Sequence, residues 1–238
     1  LRENAVGGGA EFYVMEWPII QSLKKDFLFT INNYGLMHDY TMPFPHIMNA
    51  YLNPFSDNIT NFQLANTIIS FLIFLIFAIV LKKKKLYINF IDILLISSVF
   101  LLLPFFRTSA FWGKQENYGW LFLIIAFYFF SEIKKDISKN PSNQSISNVI
   151  LFCFTSACAL YARQALAFLP ISYLLYLFFY NANKKIVITS IISFIIFAIP
   201  AFLLILIWGN VFDLKNNEIF FTWWINPNHV LKNLPILL

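Results

Sequence analysis

The chain has 238 residues, 59% hydrophobic and only 12% charged, with 29 phenylalanines and a formal net charge of +5. So few charges cannot cover the surface of a water-soluble domain of this length, which leaves lipid as the solvent for most of it. The basic excess does not mark a nucleic-acid partner either, because its lysines are gathered in short clusters between apolar runs, as topology signals are.

Residues 1–62 differ in character from the rest of the chain. The stretch GGGAEFYVMEWPIIQSL predicts a glycine-rich entry and a short amphipathic helix, and HDYTMPFPHIMNAYLNPFSDN predicts a proline-punctuated turn and a second short helix. The aromatic residues throughout suit a surface lying at a membrane interface. Six of the chain's twelve carboxylates, Glu3, Glu11, Glu16, Asp26, Asp39 and Asp57, fall in this first quarter. Glu11 and Glu16 are five apart and do not share a helix face well, so one can act while the other is solvated. A carboxylate held at such an interface suits a general base, with Glu11 the first candidate and Asp39, beside His38, the second. Asp39 could equally cap the turn, and His38 and His46 could serve as interfacial hydrogen bonders. No spacing of the HExxH kind is present, so neither a metal nor another cofactor is expected.

Apolar runs then predict spans at 63–81, 86–106, 118–131, 147–162, 164–181 and 186–208, with a seventh starting near 229. Pro104 and Pro200 fall toward helix ends. The expected architecture is an all-α polytopic membrane protein with about six complete transmembrane helices. It divides into an external loop, 1–62, that carries short amphipathic helices, and a helical transmembrane domain, 63–238. The chain opens on Leu1 and stops inside an apolar segment, so the reading is of a fragment truncated at both ends. Cys153 and Cys158 lie in one apolar run, five residues apart; core packing rather than a disulfide is expected of them.

Sidedness is read from the basic residues. Lys82, Lys83, Lys84 and Lys85, then Lys134, Lys135 and Lys139, then Lys184 and Lys185 all fall on one side if the spans alternate. The other side carries Arg107 with Lys114, then Arg163, then Lys215. The positive-inside rule puts the lysine clusters in the cytoplasm and residues 1–62, 107–117, 163 and 209–228 outside, in a lumen or periplasm. The three arginines, Arg2, Arg107 and Arg163, are then all external. A guanidinium binds phosphate in two-point fashion where an ammonium cannot, so Arg107 and Arg163 at matching depth, with Lys114 nearby, predict an anion site. The competing role is snorkelling to lipid headgroups. RTSAFWGKQENYGW and the tryptophans Trp208, Trp223 and Trp224 read as an interfacial aromatic belt that could also stack on sugar rings.

GAEFYVMEWPIIQ, HDYTMPFPHIMNAYL and ARQALAFLP, in that order, form a pattern that resembles the C-type membrane glycosyltransferases, which use lipid-phosphate sugars. The closest likeness is to the dolichyl-phosphate-glucose-dependent alpha-1,2-glucosyltransferase family, with its acidic start, its "TTPPGLY"-like turn and its "RQTN". Here Ala10 precedes Glu11 where an acidic pair would stand, the paired prolines are split into Pro43 and Pro45, and only Arg163 and Gln164 remain of "RQTN". The resemblance spans some 170 residues. It implies a polyprenyl-phosphate sugar donor, a glycan or lipid-linked acceptor, and an active site on the external face. Glu11 or Asp39 would take the acceptor proton. Arg163, Gln164, Arg107, Lys114 and His38 would contact substrate. A transporter or flippase for a lipid-linked or anionic substrate is the alternative; it would place ionisable groups or helix breaks near mid-membrane, whereas the polar residues here collect toward one side.

Overall fold

The computed structural model describes residues 12–37, 42–83, 89–134 and 141–207. Glu11, His38 and Asp39 lie outside the described residues, as do Lys84, Lys85, Lys135, Lys139 and everything after 207. Among the described residues the protein is entirely helical, without a strand. A π-helical turn, Phe12–Glu16, leads into α1 (Trp17–Lys25), α2 (Phe27–Met37) and α3 (Phe44–Tyr51). Next come α4 (Ile59–Lys83), α5 (Phe90–Leu102), α6 (Pro104–Trp112), α7 (Gln115–Ile133) and α8 (Asn143–Ala162). A 3-10 turn, Gln164–Ala167, precedes α9 (Phe168–Phe179) and α10 (Lys184–Ile207).

Among the described residues, three helices are long and apolar enough to cross a membrane: α4, α8 and Lys184–Leu204 within α10. Only 28% and 17% of the most apolar windows of α4 and α10 are covered by the rest of the protein. Bare side chains such as Ile195 and Phe202, each at least 60% exposed, therefore need lipid against them. The expected span 86–106 is broken. Its helix ends at Leu102 because Pro104 drives the preceding Leu103 into an extended conformation (φ −73°, ψ 118°) and starts a new helix. α5 and α9, of 13 and 12 residues, are each about 18–20 Å long against a hydrocarbon core of about 30 Å. The expected span 118–131 falls within the 19-residue helix α7, which is not one of the three helices that meet the length and apolarity needed to cross.

α7 and α8 form the packed centre, joined to α9 and α10 through Ala126, Ile133, Val149, Phe152, Tyr173 and Ile186. Cys153 and Cys158 are free thiols, both buried, as core packing requires. Hydrogen bonds give the bundle two ends. At one, Lys83 Nζ donates to Tyr128 Oη at 2.9 Å. At the other, Asn117 Nδ2 donates to Ser70 Oγ at 2.6 Å, where α7 begins beside the N-terminal half of α4. The N-terminal helices cap this second end. Phe12, Ile20, Leu23 and Tyr34, all fully buried, pack with Phe62 of α4 and Trp112 of α6.

Candidate functional site

The second end of the bundle concentrates the polar chemistry. α6 stops at Gly113, which adopts the left-handed conformation (φ +65°, ψ 32°), and its successor Lys114 opens α7 in an extended conformation. This tight corner brings Ser109 and the first turn of α7 together, so that Ser109 Oγ donates to Glu116 Oε2 at 2.9 Å. α8 ends opposite. Its last residue is Ala162, and Arg163 leaves the helix in an extended conformation with its own N–H on Ala159 O at 2.8 Å. The guanidinium is thereby turned toward α7, where Nη1 lies 3.4 Å from Glu116 Oε1. With the Gln115 amide oxygen facing it, the same Nη1 also donates to Gln115 at 3.1 Å, while the Gln115 nitrogen donates to Ala162 O at 3.3 Å. Gly119, one turn on, makes room for this approach: a Cβ there would stand 3.2 Å from Arg163 Cβ.

Arg163 therefore has a counter-charge beside it in Glu116. Its side chain is 46% exposed and that of Glu116 30%, so the pair is solvent-accessible enough to open for a competing anion. Gln164 is exposed on the 3-10 turn. Arg107 is exposed on α6, two residues before Ser109, and Lys114 is half-buried at the corner. Arg107 and Lys114 thus lie on the α6–α7 segment that also carries Ser109 and Glu116, with Arg107, two residues before Ser109, on a different face of α6.

A second cluster was not legible in the sequence. Glu16 and His46, 8% and 3% exposed, meet through Glu16 Oε2 and His46 Nε2. The other ring nitrogen, Nδ1, lies 2.7 Å from Tyr34 Oη. A carboxylate on Nε2 favours the proton there, which leaves Nδ1 of a neutral ring to accept from the Tyr34 hydroxyl. The expectation that one of Glu11 and Glu16 would be solvated does not apply to Glu16, and His46 is a core group rather than an interfacial one. The reason is tertiary: α1, α2 and α3 close on each other and exclude water from both. The signal available in the sequence was the proline turn before His46, which folds α3 back toward α1.

A chain of bonds ties these helices to the corner. Tyr118 Oη donates to Asn49 Oδ1 at 2.6 Å, and Asn49 Nδ2 donates to the Gly113 carbonyl at 2.7 Å. Among the described residues no group of three or more His, Cys, Asp or Glu is placed to hold a metal. No protein-family model, curated protein or solved structure matches this chain.

Proposed function

We propose that the protein is a multi-pass membrane glycosyltransferase that moves a sugar from a polyprenyl-phosphate donor to an acceptor hydroxyl at its non-cytoplasmic face. The observation that supports this reading is the meeting of Arg163 with Glu116 and Gln115, and of Glu116 with Ser109, at one end of an otherwise apolar helical bundle, on the α6–α7 segment that also carries Arg107 and Lys114. Under this reading the lysine-rich end faces the cytoplasm, and α5 with α6, and the 3-10 turn with α9, complete their passes as broken helices.

The chemistry fits a phosphate leaving group. As the acceptor oxygen bonds to the anomeric carbon, the carbon–oxygen bond to the lipid phosphate breaks and negative charge gathers on that phosphate. No proton has to reach it; a fixed cation does the stabilising. Arg163 can pass from Glu116 to the phosphate, while Glu116 keeps its bond from Ser109. The acceptor proton goes to a carboxylate on the opposite side of the sugar, for which Glu11 and then Asp39 are proposed, with Gln164 and His38 as substrate contacts.

The test is transfer from a radiolabelled polyprenyl-phosphate sugar by a full-length version of the protein in lipid. Glu11→Gln is expected to lower turnover about 100-fold or more with donor binding retained. Near-normal turnover in Glu11→Gln with none in Asp39→Asn exchanges the two roles. Full activity in both variants refutes the proposed chemistry and leaves the transporter reading ahead.

A further inference from the structure

Beside the corner, α4 and α7 enclose a small cleft lined by Asn66, Ser70, Ser109, Gly113, Lys114, Asn117 and Tyr118, with apolar side chains closing the rest. Asn66 is 3% exposed and Asn117 5% exposed, yet Asn66 Nδ2 and Asn117 Oδ1 are both buried and unpartnered. Buried polar atoms are almost always satisfied, because an orphan costs about 1–3 kcal/mol. Two in one cleft therefore point to a ligand. The orientation of Asn117 is not arbitrary: its Nδ2 donates to Ser70 Oγ at 2.6 Å and to Phe106 O at 3.4 Å, which leaves Oδ1 as the acceptor. The cleft thus offers a donor from α4 and an acceptor from α7. Its inner volume is about 10 Å³, room for about one water-sized group. Ile69, Lys114 and Leu121 at its rim keep partial exposure, so the cleft opens to the outside of the bundle.

We propose that Asn66 and Asn117 form a slot for a single hydroxyl group of a polyhydroxylated ligand. A hydroxyl accepts from Asn66 Nδ2 and donates to Asn117 Oδ1 at the same time. A phosphate or carboxylate oxygen only accepts and would face Asn117 Oδ1 unpaired; an ammonium only donates. Primary amides carry both functions but exceed the volume. Gly113 is part of the slot wall, since a Cβ there would stand 2.5 Å from Asn66 Nδ2. This inference goes beyond the transferase reading and does not need it.

Thermal unfolding of the purified chain in lipid nanodiscs tests the slot, with methyl glucoside as the hydroxyl-rich probe and sodium phosphate as the acceptor-only probe. Methyl glucoside is expected to raise Tm in a saturable way. Asn66→Asp, which turns the donor into an acceptor, and Asn66→Leu are each expected to weaken the response about tenfold or more. A hexoside response that is absent, or equal in all three proteins, means that solvent water alone occupies the slot and overturns the proposal. So does a phosphate response that depends on Asn66. The unsubstituted protein supplies a second reading that survives misfolding of the variants. Among the monodeoxy methyl glucosides, loss of one hydroxyl should abolish the shift while the others retain most of it. Equal weakening by every deoxy position overturns the one-hydroxyl slot. Hexoside binding through Asn66 without sugar transfer keeps the slot and sinks the transferase; transfer without such binding does the reverse.

Discussion

Gly113→Ala should be one of the most damaging one-methyl changes in the helical bundle, and its cost can be built from two parts. The first is backbone: an alanine at φ +65° sits in the left-handed region at about 1–2 kcal/mol. The second is packing. The new Cβ would lie 2.5 Å from Asn66 Nδ2 and 2.8 Å from Phe62 Cζ. Both are side-chain atoms, but Phe62 is fully buried within the cluster that binds the N-terminal helices to α4, and Asn66 is 3% exposed. Neither can swing into solvent, so relief means shifting packed groups, at about 1–3 kcal/mol. The total is about 2–5 kcal/mol. Gly119→Ala is the matched control. A Cβ there meets Arg163 Cβ and Leu166 Cδ1 at 3.2 Å, beside a 3-10 turn with no buried residue, and no positive φ is involved. The alanine gains about 1 kcal/mol of helix propensity to set against a few tenths of an ångström of adjustment, so the change should fall within about 1 kcal/mol of neutral.

The assay is reversible unfolding in mixed micelles with increasing dodecyl sulfate, followed by helical circular dichroism. The same alanine tested over Asn66→Ala isolates the Asn66 share of the packing part, because it removes the 2.5 Å contact and leaves the Phe62 contact and the dihedral in place. A coupling of about 0.5–3 kcal/mol is expected between positions 113 and 66. If Gly119→Ala destabilises as much as Gly113→Ala, or if positions 113 and 66 are additive, the corner is not held by the forces named.

The remaining contacts give further expected outcomes. Glu16→Leu leaves a buried His46 without its acceptor and should cost about 3–5 kcal/mol, whereas Glu16→Gln keeps an oxygen for His46 Nε2 and should cost about 1 kcal/mol; equal losses in the same unfolding assay would show that the pair does not matter. Glu116→Gln should change stability by less than about 1 kcal/mol, since the pair with Arg163 is partly exposed, yet it should lower the donor KM in the transfer assay by releasing Arg163. Arg163→Lys should raise that KM, about tenfold if the phosphate contact is two-pointed, and a null effect favours snorkelling. In intact cells an impermeant thiol reagent should label a cysteine placed at 114 and spare one placed at 83; the reverse pattern inverts the proposed topology.

What could be read in advance divides along the range of the forces involved. α4 and α10 were legible because about 20 mostly apolar residues in a row are a local property, independent of any neighbour, and α8 through its shorter apolar run from Val149. The break in 86–106 is legible in principle, since a proline acts on the residue before it; the apolar run around Pro104 is long enough to hide the break. The corner after Trp112 needs Gly113 because the chain turns left-handed there, which again is local. Pairings are not. His46 finds Glu16 thirty positions earlier, and Asn49 reaches Gly113 sixty-four positions later; neither choice is encoded in spacing, only in how α1, α2 and α3 close over the bundle end.

Arg163 carries that difference into function. Depth and residue type single it out in a chain otherwise charged by lysine clusters, and both are sequence properties. They cannot reveal that Glu116, forty-seven residues upstream, already stands within 3.4 Å, held there by Ser109 from a third helix. An arginine read as an open anion site is thus an arginine with a resident carboxylate. A phosphate gains that guanidinium only by exceeding what Glu116 offers. In the proposed reaction the sugar-linked phosphate is a diester with one negative charge, no more than Glu116 carries, and its gain lies in a second acceptor oxygen for the guanidinium fork. Once the bond to the sugar breaks, the departing lipid phosphate is a monoester with up to two negative charges, and against one carboxylate it is the stronger partner. Under that proposal the pair would favour the departing phosphate over the intact donor, and Glu116 belongs in the site as much as the arginine that the sequence brings to notice.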